Sequence, residues 1–414
     1  MSHEPAYRSA FASAAYRRYF PGSVCSTMGS WTLRFLMGWS AWDLTGSATW
    51  VGAVAGLMLA PALLLSPLFG IVSDRINPRN GLLLTISLHA AVAGAAGITS
   101  FAGHFNLPAL LLLATCLGVA TSAHTPIRLA LVPTLVPRES LPSAIGYSAT
   151  LFNTSRILGP ALGAWLLTLG SSAAAYGIAA VLMLLALPFV VGIPGRQRRP
   201  GDAHEGGFFQ QLMAGLHYTR AHREIRLVFG FVLINAMLGR AVIELLPALS
   251  GQLLAGDATT LATLTAAAGA GAVAGGLIVS RQSGRQERLF KLMRWSLAAG
   301  AFLVGSLAWQ DDIFIFAAII ALVSMITTVS GTTSQALAQL LVDEQYRGRV
   351  LSLWTMIAMG APAAGALTLG LLADWLSFPI ALLAFASAAL VALVALRWRG
   401  GARLNHRAPA DSGP

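Results

Sequence analysis

Residues 49–71, 81–102, 173–193 and 313–338 contain no Asp, Glu, Lys or Arg. Uninterrupted runs of this length leave few folds open. A helix of about 20 apolar residues crosses the hydrocarbon core of a bilayer. Within that core every backbone N–H and C=O must be satisfied internally, so only helices and closed barrels span it. A barrel strand alternates apolar and polar positions. These runs are continuous, so helices are predicted. Read along the whole chain, spans fall at 19–42, 49–71, 81–102, 107–130, 142–168, 173–193, 227–250, 258–280, 291–309, 313–338, 350–372 and 377–397, twelve in all. Composition agrees: 56% of residues are hydrophobic and 10% charged, against about 25% charged in soluble proteins. The expected fold class is therefore all-α and integral to the membrane. The first apolar run, Tyr19 to Ala41, is long enough to span and stay, and it lacks the short core and cleavage site of a signal peptide.

The net charge of +11 would raise nucleic acid as a partner in a soluble chain. Here the cations sort by topology. Arg17, Arg18, Arg75, Arg79, Arg138, Arg223, Arg288, Lys291, Arg349 and Arg403 all fall on one side of a twelve-span layout. The opposite connections hold Asp257, Asp311, Asp312 and Asp374 and no Lys or Arg. By the positive-inside rule both termini are cytoplasmic. The expected partners are the lipid bilayer and a small molecule, with no nucleic acid, and the chain is expected to be monomeric. Cys25 and Cys116 both lie in apolar runs and are expected to be buried reduced thiols.

The polar stretch starting at Ile193 divides the chain. It suggests a first half over 1–193, a cytoplasmic linker over 194–226 and a second half over 227–414 with a basic tail. A short surface helix is expected from Phe208 to His222. At an offset of 206 residues, Gly70 meets Gly276, Arg75 meets Arg281, Arg34 meets Arg240 and Gly159 meets Gly365. One offset serving several helices points to a duplicated six-helix unit. Parallel repeats around a shared site are a recurrent transporter design.

Two stretches carry a family resemblance. GIVSDRINPRN, from Gly70, resembles the loop between helices two and three of the major facilitator superfamily, G-x-x-x-D-R-x-x-R-R/K, at Gly70, Asp74, Arg75 and Arg79. It departs at Pro78, where a basic residue is usual. SRILGPALGAW is similar to the fifth-helix motif G-x-x-x-G-P-x-x-G-G at Gly159, Pro160 and Gly163, with Ser155 and Ala164 in place of glycines. LTGS, LVPRESL and RGRVLSL resemble the drug and siderophore exporter branch, enterobactin and macrolide exporters among them. The resemblance implies two pseudo-symmetric six-helix bundles. It implies a gate in which Asp74 faces the start of helix eleven. It also implies efflux rather than uptake. In the second half Ser280 stands where Asp74 would be.

Ionised residues within a span are rare and mark function by default. Arg34, Arg156, Arg240 and Glu244 are such residues. Arg240 and Glu244 are four apart on one helix and share a face. They form either a proton-coupling device or a static pair that orients helix seven. Asp43 is a second proton-coupling candidate, or an interface residue at the end of helix one. Arg34, Arg156, Arg240, Asn153 and Gln335 are candidates for the substrate cavity, where an excess of Arg suits an anion. His89 and His124 read as packing or hydrogen-bonding residues. No G-x-x-x-x-G-K-[ST] occurs, so ATP is not the expected driver. No metal-ligand spacing and no catalytic set stand out. The reading is a non-enzymatic secondary transporter in a bacterial inner membrane, needing no cofactor or metal. The proton gradient would drive efflux of a small organic metabolite or drug, with an anionic, siderophore-like substrate favoured. Uptake of a small metabolite and a membrane scaffold without transport are the alternatives.

Overall fold

A computed structural model describes residues 9–195, 208–280 and 286–401. Within these ranges, the side chains of Gly70 to Arg75, Arg138, Asn153, Arg347 and a few others lie outside the described set. The first helices are α1 (Ala14–Thr45), α2 (Ala48–Arg75), α3 (Pro78–Phe101), α4 (Leu107–Leu131), α5 (Leu141–Thr168) and α6 (Ser172–Val191). A short α7 (Phe208–Ala221) follows, at the place expected for a surface helix. Then come α8 (Arg223–Asn235), a π-helical turn (Ala236–Arg240), α9 (Ala241–Glu244) and α10 (Leu246–Leu254). The chain closes with α11 (Ala258–Ser280), α12 (Gln286–Ser306), α13 (Ile313–Leu341), α14 (Glu344–Trp375) and α15 (Phe378–Gly401). Among the described residues there is no strand.

Local sequence sets the ends of these helices. Ser13, Asn106 and Ser171 each accept a backbone N–H in the first turn of the helix that follows, as N-caps do. Asn77 does the same for α3, accepting from Arg79 N at 3.0 Å, and Pro78 takes the first helical position. Proline suits that position because its missing N–H would be unpaired there anyway. The departure from the family pattern at Pro78 is therefore a helix-start device. Asp312 caps α13 through Phe314 N and Ile315 N. Asp257 caps α11 in the same way, and the N–H groups of Thr260 and Thr259 hold its carboxyl below the usual range.

Among the described residues, nine helical stretches are long and apolar enough to cross a membrane. The helix α1 is not among them, because Ser23, Ser26, Ser30, Thr32 and Arg34 lower its apolar content. These polar positions belong to a helix that faces an internal cavity as well as lipid.

The helices α1 to α6 pack on one another, as do α8 to α15, and the two sets meet chiefly along α2 with α14 and α5 with α11. One contact recurs in both sets. A Cβ on Gly159 of α5 would lie 2.5 Å from Trp31 Cβ of α1. A Cβ on Gly365 of α14 would lie 2.9 Å from Met237 Cα in the π turn. Met237 stands 206 residues after Trp31, and Gly365 stands 206 after Gly159. Small residues let helix backbones approach in the absence of a hydrophobic drive between helices. A Gly159→Val substitution is expected to lower stability by about 1–3 kcal/mol through overpacking. The readout is a fall of several degrees in the apparent unfolding temperature in detergent, and an unchanged value would refute the contact.

Candidate functional site

Between the two sets of helices lies a cavity of about 650 Å³. Its walls are largely apolar, with Phe35, Met58, Ile243 and Leu261 among them. Four ionisable groups break that surface: Arg34 on α1, Arg156 on α5, Arg240 at the end of the π turn and Glu244 on α9. Three cations against one carboxylate leave the site with two positive charges in excess.

The interrupted seventh span explains how Arg240 and Glu244 come to face inward. Its π turn is closed by Ala241 N bonding to Ala236 O. Such insertions rotate the residues that follow, and they concentrate at functional sites. Leu245 then leaves the helix at φ −93° and ψ 9°, and Pro247 opens α10. Arg240 and Glu244 are thus held on a short segment between two irregularities, rather than on one continuous 227–250 helix.

Glu244 is shared. Arg34 Nη2 donates to Glu244 Oε2 at 2.8 Å, while Arg240 Nη2 stands 3.6 Å from Glu244 Oε1. The expected Arg240–Glu244 neighbours are present, but the shorter bond crosses between the two sets of helices. Only 12% of the Glu244 side chain is exposed. The Arg34 guanidinium also lies 5.8 Å over the Trp31 ring, which meets Phe152 edge-on at 5.4 Å. Arg156 completes the group within electrostatic reach of Arg34, Arg240 and Glu244. Among the described residues it has no ion pair or hydrogen-bond partner.

The other candidates sort differently. Gln335 is exposed and is not among the cavity-lining residues; it shares the α13 face of Thr328 and Thr332 but lies about a turn further toward the end that holds the termini. Asp43 is exposed and borders a separate recess with Ser40, Ser100 and Ser172. The side chains of Asn153, Gly70, Asp74 and Arg75 lie outside the described residues. Arg79 is described, and its Nε is buried without a partner among the described residues. Gly159, Pro160 and Gly163 all fall on α5, and Gly163 packs on Phe35 as Gly159 packs on Trp31. This places the motif against the helix that carries Arg34. His89 and His124 hydrogen-bond within and between neighbouring helices, as expected. They meet edge-on at 5.4 Å between α3 and α4, with Thr85 bonded to both. Cys25 is half-buried, but Cys116 is exposed on the outer surface rather than buried. Among the described residues no group of His, Cys, Asp and Glu could hold a metal ion.

The cavity is sealed at the end where α1 stops and α2 starts. Trp42 of α1 packs directly on Gly251 of α10. Asp374, in the last turn of α14, reaches the first turn of α2. It accepts from Ser47 Oγ at 2.5 Å, from Ala48 N at 3.0 Å and from Thr49 N at 2.9 Å. A Cβ at Gly52 would lie 2.6 Å from Ala366 O, so the two backbones touch here. Thr150, Gly276 and Thr332 carry the lining toward the opposite end, which holds the chain termini. At that end α7 is tied to the start of α14. Tyr218 OH donates to Asp343 Oδ2 at 2.8 Å, and the Tyr218 ring stacks on Tyr346 at 4.4 Å.

Residues 7–408 match the family described as transmembrane secretion effector. The chain belongs to that family. It is a transporter of the major facilitator type. Its similarity to the staphyloferrin A transporter of Staphylococcus aureus (strain NCTC 8325 / PS 47) is 25% identity, over 86% of this chain and 89% of that one. The macrolide efflux protein A of Streptococcus pyogenes is 25% identical over 85% of this chain and 88% of its own length. An enterobactin exporter of Escherichia coli O1:K1 / APEC is 28% identical, over 79% and 74%. Among solved structures, the nucleoside transporter NupG superposes with a TM-score of 0.72 at 15% identity, covering 94% of this chain and 99% of that one. A bacterial homologue of the lysosomal transporter Spinster gives 0.68 at 13% identity, covering 96% of both. These two likenesses speak for the fold of this secretion effector.

Proposed function

We propose that this secretion effector exports a small organic anion from the cytoplasm across the bacterial inner membrane, with the inside-negative membrane potential driving the net negative load outward and Glu244 linking its binding to protons. Twelve spans in two six-helix halves alternate access by rocking around the central cavity, with both termini cytoplasmic. The observation that carries the reading is Glu244, one carboxylate held by Arg34 from one set of helices and Arg240 from the other. Protonating Glu244 releases both guanidinium groups to an anionic substrate. Ionising it draws them back and expels the anion. Proton and substrate thereby bind together at one place, and a dianion carried with one proton still moves as a net negative load. The seal at the Asp374 end supports a cavity loaded from the cytoplasmic side. The named activities of the siderophore and macrolide relatives support export over uptake and over a scaffold role.

The test compares a deletion strain with its parent by mass spectrometry of cell extract and spent medium, with and without iron starvation. The expected result is an anionic metabolite retained in the mutant cells and depleted from their medium. No difference under either condition would overturn export of an endogenous metabolite. A cation or neutral compound retained instead would overturn the anion assignment.

A further inference from the structure

The cavity holds three guanidinium groups but shares its carboxylate between only two of them. Arg34 and Arg240 are engaged by Glu244 at 2.8 and 3.6 Å. Arg156 lines the same cavity and has no partner among the described residues. Arg156 is half-buried, and a cation withdrawn from bulk water without a protein partner is left for water or a ligand to satisfy. Thr150 and Thr154, on the helix that carries Arg156, and Thr265 of α11 also line the cavity. They are neutral. The titratable groups around it are Arg34, Arg240 and Glu244.

We propose, resting on the transport reading above, that the cavity has two anion seats of different kind and that its substrate carries at least two anionic groups. Arg156 is the standing seat. It accepts a carboxylate or comparable anion whatever the state of Glu244. Arg34 and Arg240 are the conditional seat, open only when Glu244 is protonated. A dianion occupies both seats and takes up one proton as it binds. A monoanion fits the standing seat alone and binds without linkage to protons. The apolar walls at Phe35, Met58 and Leu261 favour an organic skeleton between the two charges.

The test uses the purified full chain in nanodiscs and two rigid probes, benzoate and isophthalate, titrated calorimetrically between pH 6 and 8, where all of their carboxyls are ionised. Isophthalate is expected to bind at least ten times more tightly than benzoate at pH 6. Its affinity should fall by nearly tenfold per pH unit above the proton-binding midpoint of the site, whereas benzoate affinity should stay flat. Arg156→Gln should abolish benzoate binding and leave isophthalate weakened but still proton-linked. Arg156→Lys should restore benzoate, which separates loss of the seat from loss of the fold. Equal affinity for the two probes, no binding of either, or an Arg156→Gln protein unchanged toward benzoate would overturn the two-seat assignment. Export of a retained metabolite in the deletion experiment would stand regardless of that result, so failure of the seats and failure of the transport reading are distinguishable.

Discussion

A Glu244→Gln protein is expected to bind a dianion more tightly than the parent and to lose all response to a proton gradient. The amide is neutral and nearly isosteric, so it reproduces the protonated carboxyl permanently. Arg34 and Arg240 lose their anion at 2.8 and 3.6 Å and become available together. A hydrogen bond to a charged group contributes about 1.5–3 kcal/mol, so the expected gain is roughly tenfold to a hundredfold at neutral pH. Without an anion the two arginines repel each other. Removing one partner of a buried pair costs about 3–5 kcal/mol, reduced here because water reaches the cavity. The empty protein should therefore be less stable and should recover on adding isophthalate. In proteoliposomes with an imposed pH gradient, net transport of the substrate should collapse, while exchange of substrate across the membrane persists. If the variant still concentrates substrate on a pH gradient, the coupling carboxylate lies elsewhere. If it binds the dianion no better, Glu244 serves to position helix seven and does not gate the seat.

The long apolar segments are legible in the sequence because a bilayer demands little beyond length and polarity. The 81–102 and 173–193 runs correspond to α3 (Pro78–Phe101) and α6 (Ser172–Val191), with caps at Asn77 and Ser171 setting the starts. The seventh span differs. Hydropathy predicts one helix over 227–250, and Arg223–Glu244 is one span, but it carries a π turn at Ala236–Arg240 and a distortion at Leu245. Hydropathy reports composition and carries no trace of a change from i→i+4 to i→i+5 bonding, although Pro247 hints at the second break. Within the site, the four-residue spacing of Arg240 and Glu244 shows that they share a face. It does not show that Glu244 lies nearer to Arg34, which is 210 residues away in sequence. The clue is in the matching positions of Arg34 and Arg240 at the 206 offset with a single carboxylate between them. Gln335 shares the cavity-lining face of Thr328 and Thr332 but lies a turn beyond the lining, because polarity within a span does not say how deep a residue sits. Asp374 is expected in a connection, but it lies in the last helical turn of α14. An acid at a helix C-terminus opposes its own helix dipole, and that conflict is the sign that another partner satisfies it.

That partner gives Asp374 its expected effect. Replacing it with Ala removes the acceptor for Ser47 Oγ, Ala48 N and Thr49 N at once. An N-cap contributes about 1 kcal/mol, and a carboxylate at a helix N-terminus adds about 0.3–1 kcal/mol through the dipole. The sum is about 1.3–2 kcal/mol, which is roughly a tenfold to thirtyfold change in the ratio of sealed to open states. Nitroxide labels at Leu44 and Leu376, both exposed beside the seal, would report it in a background lacking Cys25 and Cys116. The expected result is a new population at longer distance in Asp374→Ala and a smaller one in Asp374→Asn, which keeps one acceptor oxygen. An unchanged distance distribution would show that the Gly52–Ala366 contact alone holds the seal. Because α2 and α14 pack side by side and run in opposite directions, each helix ends where the other begins. Asp374 closes one end of this pair. The family resemblance assigns Asp74 to the other end, opposite the start of α14. In the proposed cycle the two carboxylates cannot both be seated, since rocking that closes one mouth opens the other. Asp74→Ala should therefore shift the same labels the opposite way, toward the short distance, and a shift in the same direction as Asp374→Ala would rule out opposed latches.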